Sequence, residues 1–171
     1  MKQKDIKLIL EMLDVQRVYD NKVFEVHNVN KFTEDMINMT TLDEVGELVH
    51  ELKANWCWWK FTQEPVEIEK VLEELIDIWH FVLSYDHHFS SLHLENTKEC
   101  FECVNNLIER HREMIRKYGL HYALCIIPQT GPSRMCYLIA ASESLGFTMQ
   151  QVYEAYLKKN AINYQRLEEG Y

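Results

Sequence analysis

The segment "LEELIDIWHF", residues 72–81, places acidic side chains and a histidine among leucine, isoleucine, tryptophan and phenylalanine. Its apolar residues recur at the spacing of one face of an α-helix. On a helical wheel Glu74 and Asp77 lie beside this face, with Phe81 between them. Because residues three positions apart are neighbours on a helix, both carboxylates can reach one point. The segment therefore predicts a long helix with either a solvated acidic edge or a cation site.

A second acidic stripe precedes this helix. In "LDEVGELVHELK", residues 42–53, Glu44, Glu47 and Glu51 lie next to valine and leucine on one helical face. If the two helices pack antiparallel, their acidic stripes can meet, and each pair of unneutralised charges would repel by roughly 4 kcal/mol at about 4 Å and an effective dielectric near 20. Oxygen ligands of this kind suit Mg²⁺ or Mn²⁺. Solvated faces with this spacing are also common, so both interpretations stay open.

The rest of the chain predicts an all-α fold of about six helices. Apolar residues recur at helical spacing, and Gly, Pro, Ser and Thr mark the breaks between helices. Thr33 and Thr148 have the sequence context of N-caps, Pro65 stands at a first-turn position, and Gly119 suggests a left-handed cap. The expected helices span about residues 3–27, 33–53, 65–85, 95–118, 133–146 and 148–168.

Composition limits the classes of function. A chain of 171 residues is most simply one domain, residues 1–171. The net charge of −9 argues against nucleic-acid binding, and the lack of an apolar run of 18 residues argues against a membrane span. The charged N-terminal stretch has no small-residue cleavage site of a secretory signal, and five cysteines are an odd number that suits a reducing compartment. We therefore expect a cytoplasmic protein.

The last predicted helix carries a cationic stripe. In "YEAYLKKNAINYQRLEEGY", residues 153–171, Lys159, Asn163 and Arg166 are spaced to share one face. An ammonium, an amide and a guanidinium together suit phosphate oxygens. Basic residues near a helix C-terminus also favour the helix dipole, which is a simpler explanation for part of this pattern.

A di-iron site is an alternative interpretation of the acidic helices. Glu47-x-x-His50 and Asp77-x-x-His80, with Glu44 nearby and Glu74 on the second helix, resemble the ligands of di-iron bundles. Those bundles draw ligands from four helices, whereas these candidates occupy two. A di-iron site also has no need of the cationic stripe, which therefore favours a phosphate-binding function.

These motifs together resemble a known family. "ExxE" at 44–47, followed after 26 residues by "ExxD" at 74–77, resembles the metal motif of the all-α nucleoside triphosphate pyrophosphatases, the MazG-like superfamily. "WWK" at 58–60, "ELIDIWHFVLS" at 74–84 and "LGFTMQQVYEAYLKKNAINYQRLEEGY" at 145–171 resemble the dimeric dUTPases within it.

The resemblance implies a homodimeric helical bundle that hydrolyses dUTP to dUMP and pyrophosphate, with dUDP as a second candidate substrate. It implies Mg²⁺, replaceable by Mn²⁺, held by Glu44, Glu47, Glu74 and Asp77, with Glu47 orienting or deprotonating the attacking water. The residues that it implies for substrate binding are Gln16, Asp20, Trp59, Lys60, His80, Lys159, Asn163, Arg166 and Tyr171.

Three alternatives remain open from the sequence. A related pyrophosphatase could prefer another base, such as that of dCTP, because "ELVHELKANW" departs from the "ELANEWRGF" typical of the family. A di-iron protein would bind iron. A helical binding module without catalytic activity would not respond to Mg²⁺ and nucleotide.

Overall fold

The computed structural model of the chain describes residues 1–90, 98–129, 131 and 133–170. Within these ranges the regular secondary structure is entirely helical, and no β-strand occurs there. The predicted all-α class is therefore confirmed. The helices are α1 (Gln3–Val26), α2 (Glu34–Glu51), α3 (Lys53–Trp56), α4 (Ile68–Phe89), α5 (Lys98–Tyr118), α6 (Leu120–Ile126), α7 (Arg134–Ser144) and α8 (Met149–Glu169).

The structure has eight helices, whereas the sequence predicted about six, and the two additional helices are short. Helix α3 is one turn of four residues, too short to show a periodic apolar pattern. Helix α6 has seven residues and follows Gly119, whose φ of 86° is a conformation that favours glycine. This glycine separates α5 from α6.

The predicted N-caps are present, but the predicted start of α4 is wrong. Thr33 accepts a hydrogen bond from the backbone of Met36, and Thr148 forms a reciprocal capping box with Gln151. Helix α4 begins at Ile68 rather than at Pro65. The Gln63 amide donates to the Cys57 carbonyl at 3.2 Å, and this contact helps to hold the preceding segment as a loop.

Helix α4 is the central element of the fold. It contacts α1, α2, α7 and α8. Most of its apolar face, from Val71 to Leu83, is buried, and the indole of Trp79 donates to the Ser142 hydroxyl on α7 at 3.0 Å. The phenol of Tyr85, near the end of α4, donates to Glu34 at the start of α2, so these two helices run antiparallel. This orientation brings the two acidic stripes side by side.

In the described part of the chain, no helix has both the length and the apolar character required to cross a membrane.

Candidate active site

A cavity of about 680 Å³ lies among α1, α2, α4 and α8. Most of the residues that the sequence singled out meet on its walls. They are Gln16, Asp20, Glu44, Glu47, Glu74, Asp77, His80, Lys159, Asn163 and Arg166. Because these side chains come from four different helices, the site depends on the packing of the whole bundle.

Three carboxylates converge on one wall. An oxygen from each of Glu44, Glu74 and Asp77 lies within 4.8 Å of the others. Burial and the neighbouring carboxylates raise the pKa of Glu44 to about 7 and that of Glu74 to about 7. Two acids that hold protons near neutrality show that negative charge is concentrated here without full compensation.

Glu47 completes the acidic stripe of α2 at the edge of the cluster. Its side chain is exposed, and it shares a hydrogen bond with the Glu74 carboxyl group. It therefore touches one of the three clustered acids while remaining accessible to solvent. This position suits a group that exchanges protons with water.

Lys159, on α8, contacts the acidic cluster directly. Its ammonium is 2.7 Å from Asp77 Oδ2 and 3.9 Å from Glu73 Oε1. Burial raises the pKa of Asp77, and this ammonium opposes the rise. Asn163 and Arg166 follow on the same face of α8 and also line the cavity. The cationic stripe and the acidic cluster therefore adjoin one another in the lining of one cavity.

The donor set fits a hard divalent cation. The three converging groups offer only carboxylate oxygens, which are the ligands that Mg²⁺ and Mn²⁺ prefer. Burial, together with repulsion from neighbouring carboxylates, raises the pKa of Glu44 and of Glu74, and a divalent cation would offset both effects.

The histidines of the di-iron interpretation lie away from this cluster. His50 is exposed and lines a separate cleft together with Glu51 and Lys60. His80 is buried and hydrogen-bonded through Nδ1 to Gln16 at 2.8 Å. The described acidic group that could hold an ion contains no histidine. The geometry therefore favours the phosphate-binding interpretation.

Three of the predicted substrate-binding residues are not among the described residues that line this cavity. Trp59 is exposed, with its ring centroid 5.5 Å from that of Trp56 and 5.7 Å from that of Trp58. Lys60 lines the cleft of His50. Tyr171 lies outside the described residues. Their roles stay predictions.

The cavity also contains aromatic side chains that the sequence did not single out as substrate contacts. Tyr19, Phe24, Phe32 and Phe81 all line it. Tyr19 and Phe24 continue the α1 face that carries Gln16 and Asp20, so the helical spacing from those two residues could have found them. Phe32 lies in the loop before α2 and gives no such periodic signal.

An all-α bundle with clustered carboxylates beside a lysine, an amide and an arginine in one cavity is typical of metal-dependent enzymes that cleave phosphoanhydride bonds. A family model described as dUTPase matches residues 8–171, and the chain belongs to this dUTPase family. A comparison with individually curated proteins gave no match. The family match covers nearly the whole chain and supports dUTP diphosphatase activity with a divalent metal requirement.

Proposed function

We propose that the cavity binds dUTP with Mg²⁺ and that the protein hydrolyses it between the α- and β-phosphates. The observation that carries this proposal is that Glu44, Glu74 and Asp77 line one cavity together with Lys159, which contacts Asp77. Acidic side chains alone would repel a triphosphate, and the cationic stripe alone would not need them. The two together suit a metal–triphosphate complex, which carries both signs of charge.

Glu44, Glu47, Glu74 and Asp77 would hold the metal. When bound, Mg²⁺ neutralises charge on the phosphates and lowers the pKa of water. Glu47 orients the attacking water and takes up its proton, because its side chain contacts the cluster and is exposed. The water oxygen forms a bond to the α-phosphorus, the bond to the bridging oxygen breaks, and pyrophosphate leaves with the bonding electron pair. The products are dUMP and pyrophosphate.

The residues of α8 would hold the triphosphate. Lys159 donates a hydrogen bond to Asp77, and we propose that it moves to a phosphate oxygen when a cation binds Asp77. Asn163 and Arg166 extend the same face and would contact further phosphate oxygens. The nucleoside then lies towards α1, where Gln16, Asp20 and the aromatic side chains line the cavity.

The test is turnover by the purified chain. We expect pyrophosphate release from dUTP in Mg²⁺, slower or equal turnover in Mn²⁺ and none with a chelator. A panel with dUDP, dCTP and dTTP measures base selection and the need for the third phosphate. Glu74→Gln removes one clustered carboxylate and should abolish turnover, whereas Glu113→Gln, exposed on α5, should not. Full activity of Glu74→Gln would refute the metal assignment.

We also propose that residues 1–171 form one domain that works as a homodimer. The described chain leaves large apolar side chains in solvent on α2, at the last residue of α3 and in the segment after it. These are Met36, Met39, Leu42, Trp56, Trp58, Trp59 and Phe61. Such a set is typical of an interface. Light scattering after gel filtration should give twice the chain mass, and Leu42→Glu should shift it towards the monomer.

The cytoplasm is the compartment that we propose for this enzyme. Cys57, Cys125 and Cys136 are free thiols, which persist in a reducing environment.

A further inference from the structure

A chain of buried hydrogen bonds forms the wall of the cavity between α1, α4 and α8. Gln16 Nε2 donates to Asp20 Oδ1 at 2.7 Å. Gln16 Oε1 lies 2.8 Å from the Tyr156 hydroxyl and 2.8 Å from His80 Nδ1. All four side chains are buried. Gln16 was expected to contact the base, yet both ends of its amide have partners within the protein.

The orientation of the Gln16 amide follows from Asp20. A carboxylate only accepts hydrogen bonds, and Asp20 Oδ2 already accepts from the Ser84 hydroxyl at 2.5 Å. His88 Nε2 lies 3.3 Å from the same oxygen. The side of Gln16 that faces Asp20 must therefore be its NH₂ group. Its oxygen must face the other way, towards Tyr156 and His80.

The oxygen of Gln16 in turn determines the protonation of His80. An amide oxygen has no hydrogen to give, so His80 Nδ1 must carry the proton of their shared hydrogen bond. Burial, with the charge of Lys159, lowers the pKa of His80 to about 3, so the ring is neutral at pH 7. A neutral imidazole carries one proton, which leaves a lone pair on Nε2.

The Nε2 atom of His80 is a buried acceptor without a hydrogen-bond partner among the residues that the structure describes. The ring stacks on Tyr156 at 4.4 Å between centroids, which restricts its rotation. Leaving a buried acceptor unfilled costs about 1–3 kcal/mol. His80 lines the same cavity as the acidic cluster and the cationic stripe, so a ligand in that cavity can supply the missing donor.

We propose that Asp20, Gln16 and Tyr156 position His80 as its Nδ1–H tautomer, so that its Nε2 lone pair accepts a hydrogen bond from the nucleoside of the bound nucleotide. This inference rests on the proposed function. The phosphates of a nucleotide bound with metal offer no donor, whereas a deoxyuridine nucleoside offers two. These are the imide N–H of the base and the 3′-hydroxyl of the sugar. Gln16 thus acts on the substrate through His80.

The tautomer is measured directly in the free protein. Long-range ¹H–¹⁵N correlation spectra of ¹⁵N-histidine protein distinguish Nδ1–H from Nε2–H imidazole, and a His80→Asn spectrum assigns the signals. We expect a neutral Nδ1–H ring at pH 7. An Nε2–H ring or a mixture of tautomers in the unmodified protein would overturn the inference, whatever the enzyme's activity.

The positioning role is tested with Asp20→Asn, which keeps the shape of the side chain and adds a donor. This variant allows the Gln16 amide to turn over, and both His80 tautomers should then be populated. Asp14→Asn is the matched control, because Asp14 is exposed on the same helix and pairs with Arg17 at 2.7 Å. A single Nδ1–H tautomer retained in folded Asp20→Asn would overturn the role of Asp20.

The substrate contact is tested by adding Mg²⁺ and a non-hydrolysable α,β-methylene dUTP, whose bridge carries no N–H or O–H donor. Acceptance of a hydrogen bond should move the Nε2 resonance upfield, and an unmoved resonance in the bound protein would overturn the contact. Loss of the displacement with the 2′,3′-dideoxy form identifies the 3′-hydroxyl as donor, and its loss with the 3-methyluracil form identifies the imide. Displacement retained with both forms would also overturn the contact. If dUTP is turned over without this displacement, the inference fails while the proposed function stands.

Discussion

Replacing Glu74 with Gln should stabilise the metal-free protein while it abolishes activity. Glu74 lies within 4.8 Å of Glu44 and Asp77. Two unit charges at that distance repel by about 3.5 kcal/mol at an effective dielectric near 20. Because Glu74 is only half-buried, solvent screens much of this repulsion, and we expect a net gain of about 1 kcal/mol. In a chain of this length, that gain corresponds to a rise in Tm of roughly 2–4 °C.

The effect should depend on pH with a defined sign. The pKa of Glu74 is raised from 4.5 to about 7, so the folded protein binds this proton more tightly than the unfolded chain does. The carboxylate therefore leaves stability unaffected below pH 4.5 and lowers it as pH rises through 7. The advantage of Glu74→Gln should be small at pH 5 and complete at pH 8.

The assay is thermal unfolding followed by circular dichroism in a chelator at both pH values. Glu113→Gln serves as the control, since it makes the same change on the exposed face of α5. Addition of Mg²⁺ should reverse the order at pH 8, because the unmodified protein gains a ligand and the variant has lost one. A lower Tm for Glu74→Gln in the chelator at pH 8 would refute the repulsion argued for this cluster.

Three further changes give separate measurements. Lys159→Met removes one charged phosphate contact and should raise the KM for dUTP about 10- to 100-fold, since such bonds are worth about 1.5–3 kcal/mol; an unchanged KM in steady-state assays would contradict the phosphate role. Mg²⁺ should raise the Tm more at pH 8 than at pH 6, because Glu44 and Glu74 hold protons below about 7; equal shifts would exclude these acids as ligands. Trp79→Phe removes the hydrogen bond to Ser142 and leaves a void, so the free energy of unfolding measured in urea should fall by about 1–3 kcal/mol. An unchanged free energy of unfolding would contradict the packing described for α4.

Much of the fold could be predicted because its signals are local. The cap of α2 at Thr33 and the capping box at Thr148 depend on residues three positions apart, and both are present. The predicted start of α4 at Pro65 is wrong because a proline is compatible with the first turn of a helix but does not require one. Helix α3 escaped detection because one turn is shorter than the period that reveals a helix.

The site was partly predictable for the same reason. The spacing of Glu74 and Asp77 on one helix indicates that their carboxylates can reach the same point, and the structure places the carboxylate of Glu44 beside them. The contacts between distant segments had no sequence signal. Gln16 and Tyr156 are 140 positions apart, and Lys159 and Asp77 are 82 positions apart. Such contacts depend on how α1, α4 and α8 pack, and no periodic pattern encodes that packing.

The ion pair between Lys159 and Asp77 has a thermodynamic consequence for ligand binding. If a cation binds at Asp77 as proposed, it would have to compete with the ammonium of Lys159, and a triphosphate that draws the ammonium away would remove this competitor. Each ligand would then strengthen the binding of the other, and by linkage the two enhancements would be equal in free energy. The proposed site would thereby disfavour metal or nucleotide alone and favour the binding of both together.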